Sequence, residues 1–263
     1  MGLRSTAAVV SRTMRMTGSS KLVSLITERY GLVKVMAKGA RRPKSKFGAS
    51  LESVTIVDCM FWHKDMRDIQ TLTEADIVEP FADLKTDIRR LSIASCMVEV
   101  SESQTARDDP ASGTYRLLVE SLEDLRSAPA KDADKHLWRF MLRFLASEGY
   151  RPGLDRCIAC GKHPKGGSVF FSFADGGIVC SCTDSGDRFG MHVSPGALML
   201  MKELMTAKAD SLGRLKMTKA QRSEVEHATL RFLAYHTGYS RPPRSLAFLR
   251  KMDGAVREDD HTE

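Results

Sequence analysis

Four cysteines stand close together in the second half of the chain, as Cys157-x-x-Cys160 and, after 19 intervening residues, Cys180-x-Cys182. Four thiolates satisfy a tetrahedral Zn²⁺, and a C-x-x-C turn presents two of them on one side of the ion. Gly161 follows the first pair, where a small residue lets backbone N–H groups approach the sulfurs. Between the pairs, Val169-Phe170-Phe171-Ser172-Phe173, then Ala174-Asp175-Gly176-Gly177, then Ile178-Val179 read as strand, turn, strand. Such a hairpin returns the second pair to the first. A ribbon this small cannot bury enough core to fold alone, so bound metal would supply the missing stability. A site closed by four sulfurs is structural and leaves no position for a catalytic water. C-x-C is tighter than the usual second pair, so His163 or His192 is a substitute ligand, and a ribbon that has lost its metal is the rival reading. A thioredoxin-like role for Cys157 and Cys160 lacks its βαβ context, and haem attachment needs His where Gly161 stands.

The second group is basic. Lys34, Lys38, Arg41, Arg42, Lys44 and Lys46 fall in one short run without an acid. Residues 1–50 hold eleven Lys/Arg and one acid, Glu28, whereas the other 213 residues hold 29 bases and 32 acids. The net charge of +7 is therefore one basic module on a near-neutral body. That asymmetry points to a polyanion, nucleic acid before membrane. Gly39 and Pro43 block helix, so the charges fan out from a loop and can meet phosphates without reading bases. Phe47 at the end of the run either stacks on a base or anchors the loop.

Catalytic signatures are missing from the sequence. It has no G-x-x-x-x-G-K-[ST], no H-E-x-x-H and no G-x-S-x-G. Asp65, Asp68, Glu74 and Asp76 would have to converge on Mg²⁺ in a nuclease, but a solvated strand face explains them equally. His136 and His227 are lone helical histidines. The expectation is a protein without enzymatic turnover.

The elements that position these groups change character along the chain. Val9-Val10, residues 22–26, 32–36, 51–61 and 68–73 are short β-rich runs, and Glu28-Arg29-Tyr30-Gly31 is a tight turn. Five short strands in about 80 residues suit a small barrel, of which the oligonucleotide-binding (OB) fold is one form. From Pro80 the apolar period becomes helical: Phe81, Leu84, Ile88, Leu91; then Tyr115, Leu118, Leu122, Leu125; then Leu137, Phe140, Met141, Phe144. Ser194-Pro195 starts another helix, and Thr218 with Gln221 forms a capping box for a further one. The expected class is α+β and multidomain. An N-terminal OB-fold β-barrel (1–80) precedes an α-helical domain (81–149 and 193–252), into which a four-cysteine zinc ribbon (150–192) is inserted. An acidic, disordered tail (253–263) follows. No apolar run reaches the roughly 18 residues of a membrane span. The N-terminus makes a poor signal peptide, and a cytoplasmic protein with Cys59 and Cys96 as core residues is expected.

The basic run also carries a resemblance. Tyr30-Gly31-Leu32 leading into Ala37-Lys38-Gly39-Ala40-Arg41-Arg42-Pro43-Lys44-Ser45-Lys46-Phe47-Gly48 resembles the RecO family of bacterial DNA-repair proteins. Leu72-Thr73-Glu74-Ala75-Asp76, Arg151-Pro152-Gly153-Leu154-Asp155-Arg156-Cys157, Gly176-Gly177-Ile178-Val179-Cys180 and Arg241-Pro242-Pro243-Arg244-Ser245 resemble later stretches of the family, in its order. The resemblance implies the three-part architecture and binding of single- and double-stranded DNA. It also implies annealing of complementary strands and, with RecR, loading of RecA onto strands coated by SSB, in the bacterial cytoplasm at the nucleoid. Many members with a ribbon have C-x-x-C where this chain has Cys180-Ser181-Cys182, and some have lost the ligands. An RNA-binding or ribosome-associated OB protein with a structural ribbon shares the charge pattern and is the alternative.

Overall fold

The computed structural model describes residues 2–107, 112–164, 166–180, 189–239 and 241–259. Five strands open the chain: β1 (Gly2–Arg15), β2 (Lys21–Thr27), β3 (Gly31–Ala37), β4 (Thr55–His63) and β5 (Ile69–Glu79). They close into a barrel in the order β1-β2-β3-β5-β4, with β4 returning to β1. Neighbours are antiparallel except β3 and β5, which run parallel through Lys34↔Ile69 to Met36↔Thr71. Alternation sets the register. Gly31, Val33, Val35 and Ala37 face in, while Leu32, Lys34 and Met36 face out. A register shift between Val10 and Arg12 lets the long β1 bend around the barrel, as an extra residue in one strand does.

β1 extends well beyond the expected Val9-Val10, and two later strand bounds differ from the expectation for a clear reason. Gly48–Leu51 is a 3-10 turn whose Leu51 plugs the barrel, so β4 starts only at Thr55. β5 runs on to Glu79 because its acids stand on the outer face while Leu72 and Ala75 fill the inside.

The helices are α1 (Ala82–Thr86), α2 (Ile88–Gln104), α3 (Ser112–Ser127), α4 (Ala133–Ser147), α5 (Pro195–Thr206), α6 (Lys219–Thr237) and α7 (Arg244–Asp259). The spacing of Phe81, Leu84, Ile88 and Leu91 predicts one helix, but the chain breaks at Asp87. Its carboxylate accepts from the N–H groups of Arg89 and Arg90 and so caps α2. Ile88 is left exposed at 52%, and α2 buries Ile93, Ala94, Met97 and Val100 instead. The other two helical stripes are fully buried. Ser194 caps α5, and the capping box of Thr218 and Gln221 is present. α7 runs through Asp259, into the stretch expected as a disordered tail.

Three short strands, β6 (Val169–Ser172), β7 (Gly177–Val179) and β8 (Gly190–Val193), form a sheet in the order β7-β6-β8. By contact the chain divides into two units, Met1–Arg126 with Phe248–Glu263, and Ser127–Ala247. The first holds the barrel with α1 to α3; the second holds α4 to α6 and the small sheet. In the second unit α4 is buried nearly all round. Its Lys135 reaches Asp132 at 2.6 Å and the Leu212 carbonyl oxygen at 3.2 Å, so the buried ammonium is satisfied. Among the described residues no helix is long and apolar enough to cross a membrane.

Candidate nucleic-acid interface and metal centre

The basic run begins on β3 and leaves the barrel after Ala37. Lys34 stands on the outward side of β3, half-exposed; Lys38, Arg41, Arg42, Lys44 and Lys46 are exposed in the turns that follow. Gly39, at φ +72°, takes the left-handed conformation that lets the chain turn off the strand. Successive turns are closed by Arg42 N–H donating to the Gly39 carbonyl oxygen and Ser45 N–H to that of Arg42, both at 3.0 Å. The loop is tied to the β1–β2 turn. Arg41 donates its backbone N–H to the Ser19 carbonyl oxygen and its Nη1 to that of Gly18, each at 2.9 Å. Between the two turns lies an open groove of about 420 Å³, lined by Ser19, Ser20, Met36, Lys38 and Arg42. No acid occurs from Gly31 to Leu51 and none lines this groove, so its cations face no carboxylate there.

Phe47 does not belong with these groups. It is 4% exposed and packs in the barrel core with Ala40 and Leu51. A ring sealed in the core has no face to offer a base, so of the two roles open to it the structure gives it the anchor's. Its carbonyl oxygen accepts from the Ser50 hydroxyl at 2.5 Å, and Lys46 Nζ lies 5.5 Å from its ring centre.

The acids weighed as nuclease ligands do not form a metal-binding group among the described residues. Asp65 pairs with His63 at 3.1 Å, and Asp68 pairs with Arg107.

The cysteine cluster is assembled by the second unit. β6 and β7 form the expected hairpin, with Ser172 opposite Gly177. Gly153 runs beside Gly177, where any Cβ would lie 2.6 Å from the Gly153 carbonyl oxygen, so only glycine allows the approach. Ile158 N–H then donates to the Ile178 carbonyl oxygen, which lays the C-x-x-C turn against the hairpin. The sulfurs of Cys157, Cys160 and Cys180 all lie within 4.8 Å of one another, Cys160 and Cys180 at 3.6 Å. Sulfurs at about 2.3 Å from a tetrahedral zinc stand roughly 3.8 Å apart, so the three fit one ion. Burial pushes the Cys157 thiol up, but N–H donors from Cys180, Cys160 and Ala159 outweigh it and bring its pKa to about 6. A thiolate-stabilising pocket is what a zinc ligand requires. Cys182 lies outside the described residues. His163 Nδ1 is 3.0 Å from the Asp155 carbonyl oxygen and His192 packs edgewise on Phe170; neither is in the cluster.

The ribbon, expected to draw its missing stability from metal, also packs on a helix. Phe171 stacks on Phe232 of α6 at 5.2 Å, and Phe173 packs edgewise on the same ring at 6.5 Å. It therefore shares a core with α6, and metal is not its sole support.

Sequence reasoning overlooked a second positive groove on the barrel. Arg4, Arg29, Lys64 and Arg67 line it with Tyr30 and one acid, Asp65, in a space of about 460 Å³. These residues come from three separate stretches, and only barrel closure brings them together.

The family model described as Recombination protein O N terminal matches residues 1–81, and that described as Recombination protein O C terminal matches residues 85–247. A protein of Salinibacter ruber named DNA repair protein RecO is 33% identical over 98% of this chain and 97% of its own length. Proteins of the same name from Frankia casuarinae and Symbiobacterium thermophilum are 33% and 29% identical, over 92% and 97% of this chain and 96% and 100% of their own lengths.

Proposed function

The chain belongs to the RecO family, and on that premise we propose that it is a DNA-binding recombination mediator. It binds and anneals single strands and, with RecR, promotes RecA loading on SSB-coated DNA; double-stranded DNA is a second ligand. The observation that carries this reading is the acid-free basic rim, in which five exposed cations and Lys34 line one loop and strand of the barrel. The relatives' name, DNA repair protein, supports the choice of DNA as the polyanion.

Annealing needs no bond to be made by the protein, and none of its residues is assigned a chemical step. Complementary strands repel through their phosphates. A surface that neutralises several phosphates on each strand lowers that repulsion and raises their local concentration. Lys and Arg on a loop serve this sequence-independent task better than a fixed base-reading helix.

The barrel is read as an OB fold, which its five strands in the order β1-β2-β3-β5-β4 support. The domain reading follows: barrel over 1–80, helices over 81–149 and 193–252, ribbon inserted over 150–192. The ribbon is read as a structural zinc site with Cys182 as fourth ligand, supported by the three converging sulfurs. Zinc there would pin the C-x-x-C turn to the hairpin.

The test is strand annealing with SSB-coated complementary oligonucleotides, comparing the protein with a variant in which Arg41, Arg42, Lys44 and Lys46 are Ala. Loss of annealing with the fold intact is expected. Equal annealing by the two proteins would remove the loop from the function, and stronger competition by structured RNA than by single-stranded DNA would favour an RNA-binding role.

A further inference from the structure

We propose that the groove lined by Arg4, Arg29, Tyr30, Lys64 and Arg67 is a second phosphate-binding site, and that one nucleic-acid strand runs from the basic loop to it along β3. This rests on the reading of the protein as a nucleic-acid binder and extends it to residues outside the basic run.

The topology places the groove at the other end of the barrel from the loop. β3 starts at Gly31, directly after the β2–β3 turn that carries Arg29 and Tyr30, and ends at Ala37, where the basic loop begins. Pairing of Gly2 with His63 and Arg4 with Phe61 brings the start of β1 to the β4–β5 turn, residues 64–68. Seven residues of β3 at about 3.3 Å each separate the two sites by roughly 20 Å. That is about six nucleotides at ~3.4 Å per nucleotide of a stacked strand, within the usual site size of one such barrel. Lys34 stands on the outward side of β3 between them.

The groove is built rather than incidental. The Gln70 side chain, 6% exposed, holds the β4–β5 turn in three places. Its Oε1 accepts from Lys64 N–H at 2.8 Å, and its Nε2 donates to the carbonyl oxygens of Lys64 at 3.1 Å and Arg67 at 2.8 Å. A buried amide thus fixes the turn that presents Lys64 and Arg67. On the other wall, Arg4 lies 4.7 Å over the Tyr30 ring, whose edge packs against Phe61. That contact holds a guanidinium in place at little entropic cost.

Of the local acids, two pair with arginines that do not line the groove, and the third, Asp65, lines it against four cations. Asp65 pairs with His63, Asp68 with Arg107, and Glu28 with Arg116 at 3.7 Å. Among the described residues Arg29, Lys64 and Arg67 have no carboxylate partner, so the groove keeps a positive excess that no contact within the chain explains. Tyr30, with Arg4 over its face, serves here as a platform for the cation and not for a base.

The experiment measures binding of fluorescent oligothymidylates of about 4 and about 20 nucleotides, chosen to fall short of and exceed one site, across a salt series. The variants are the triple R29A/K64A/R67A, the charge-preserving R29K/R67K, and the single reversal R67E in case the triple is unstable. For the long strand the triple variant should flatten the slope of log K against log[salt] by about 2, as loss of three single-strand phosphate contacts requires. For the short strand, which the basic loop alone can hold, the slope should stay, and R29K/R67K should match the parent on both. An unchanged long-strand slope in the triple and R67E variants, with the loop variant still impaired, would overturn the second site and leave the function standing. Impaired annealing with the long-strand slope intact would mean a separate strand in the groove and would equally overturn the single track. Failure of the unmodified protein to bind either strand would instead bring down the functional reading itself.

Discussion

Arg41 donates Nη1 to the Gly18 carbonyl oxygen at 2.9 Å, and its own N–H goes to Ser19 at the same distance. One of the loop's cations therefore also holds the loop to the barrel. Arg41→Ala should remove a phosphate contact and the side-chain half of this tether, the bond to Gly18, whereas Lys44→Ala should remove a contact alone. Both variants should flatten the salt slope by about 1, but only Arg41→Ala should speed tryptic cleavage within residues 38–46. Equal cleavage rates in the two variants would show that the Arg41 side-chain bond to Gly18 does not order the loop.

Phe47 makes the opposite point, since it lies in the charged run yet serves the core. Its truncation to Ala should cost about 3–5 kcal/mol, the range for a large aromatic removed from a core. Urea unfolding measures this. Phe47→Leu should recover most of the loss and bind DNA with the parent's salt slope. A Phe47→Leu protein of full stability with weakened binding would return the ring to the interface.

The sulfur cluster sets a metal prediction. Purified protein should carry about one zinc per chain, and chelation should lower the melting temperature without unfolding the chain, because Phe171 and Phe173 stay packed on Phe232. Thiol labelling gives a second readout. Cys59 is 1% exposed and burial, with Asp58 beside it, pushes its pKa to about 12, so it should stay unlabelled in the folded protein. Chelation should expose Cys160 and Cys180 to the reagent and leave Cys59 and Cys96 protected. Metal in fewer than about half the molecules would favour a ribbon that has lost its ion.

His136 gives a pH prediction. Burial, with Arg139 the next cause, lowers its pKa to about 4, and its Nδ1 has no hydrogen-bond partner among the described residues. The folded state thus holds a neutral ring that the unfolded chain would protonate near pH 6.5. Its contribution is intact above that value and is lost as pH falls towards 4, by up to about 3 kcal/mol. His136→Gln should flatten the fall in stability between those limits, as followed by urea titration at several pH values. An equally steep fall in the variant would assign the acid sensitivity to other groups.

Much of this architecture was legible because local chemistry and global fold agree. The Thr218–Gln221 box, the Ser194 cap and the Gly39 turn each sit where their residues demand. The strands with clean alternation, such as β3, were readable for the same reason. The break at Asp87 was not, because apolar spacing runs across it and only the side chain's capping bonds reveal the restart. The sequence leaves Phe47 between stacking on a base and anchoring the loop, because a charged run does not show which of its residues turn inwards with Ala40 to meet Leu51. The second groove escaped because Arg4, Arg29 and Lys64 are brought together by barrel closure, which no local pattern encodes. The shared core of ribbon and α6 was hidden likewise: Phe171 and Phe232 are 61 positions apart in sequence.

The central claim is that the acid-free loop grips DNA through its phosphates. The most direct test is the salt dependence of binding to a short duplex, for the parent and for the variant with Ala at 41, 42, 44 and 46. Six cations on duplex phosphate predict a slope of log K against log[salt] of about −5, reduced to about −2 in the variant. The loss should be nearly uniform across sequences. A parent slope near −5 that the variant retains would place the grip elsewhere on the protein and contradict the account.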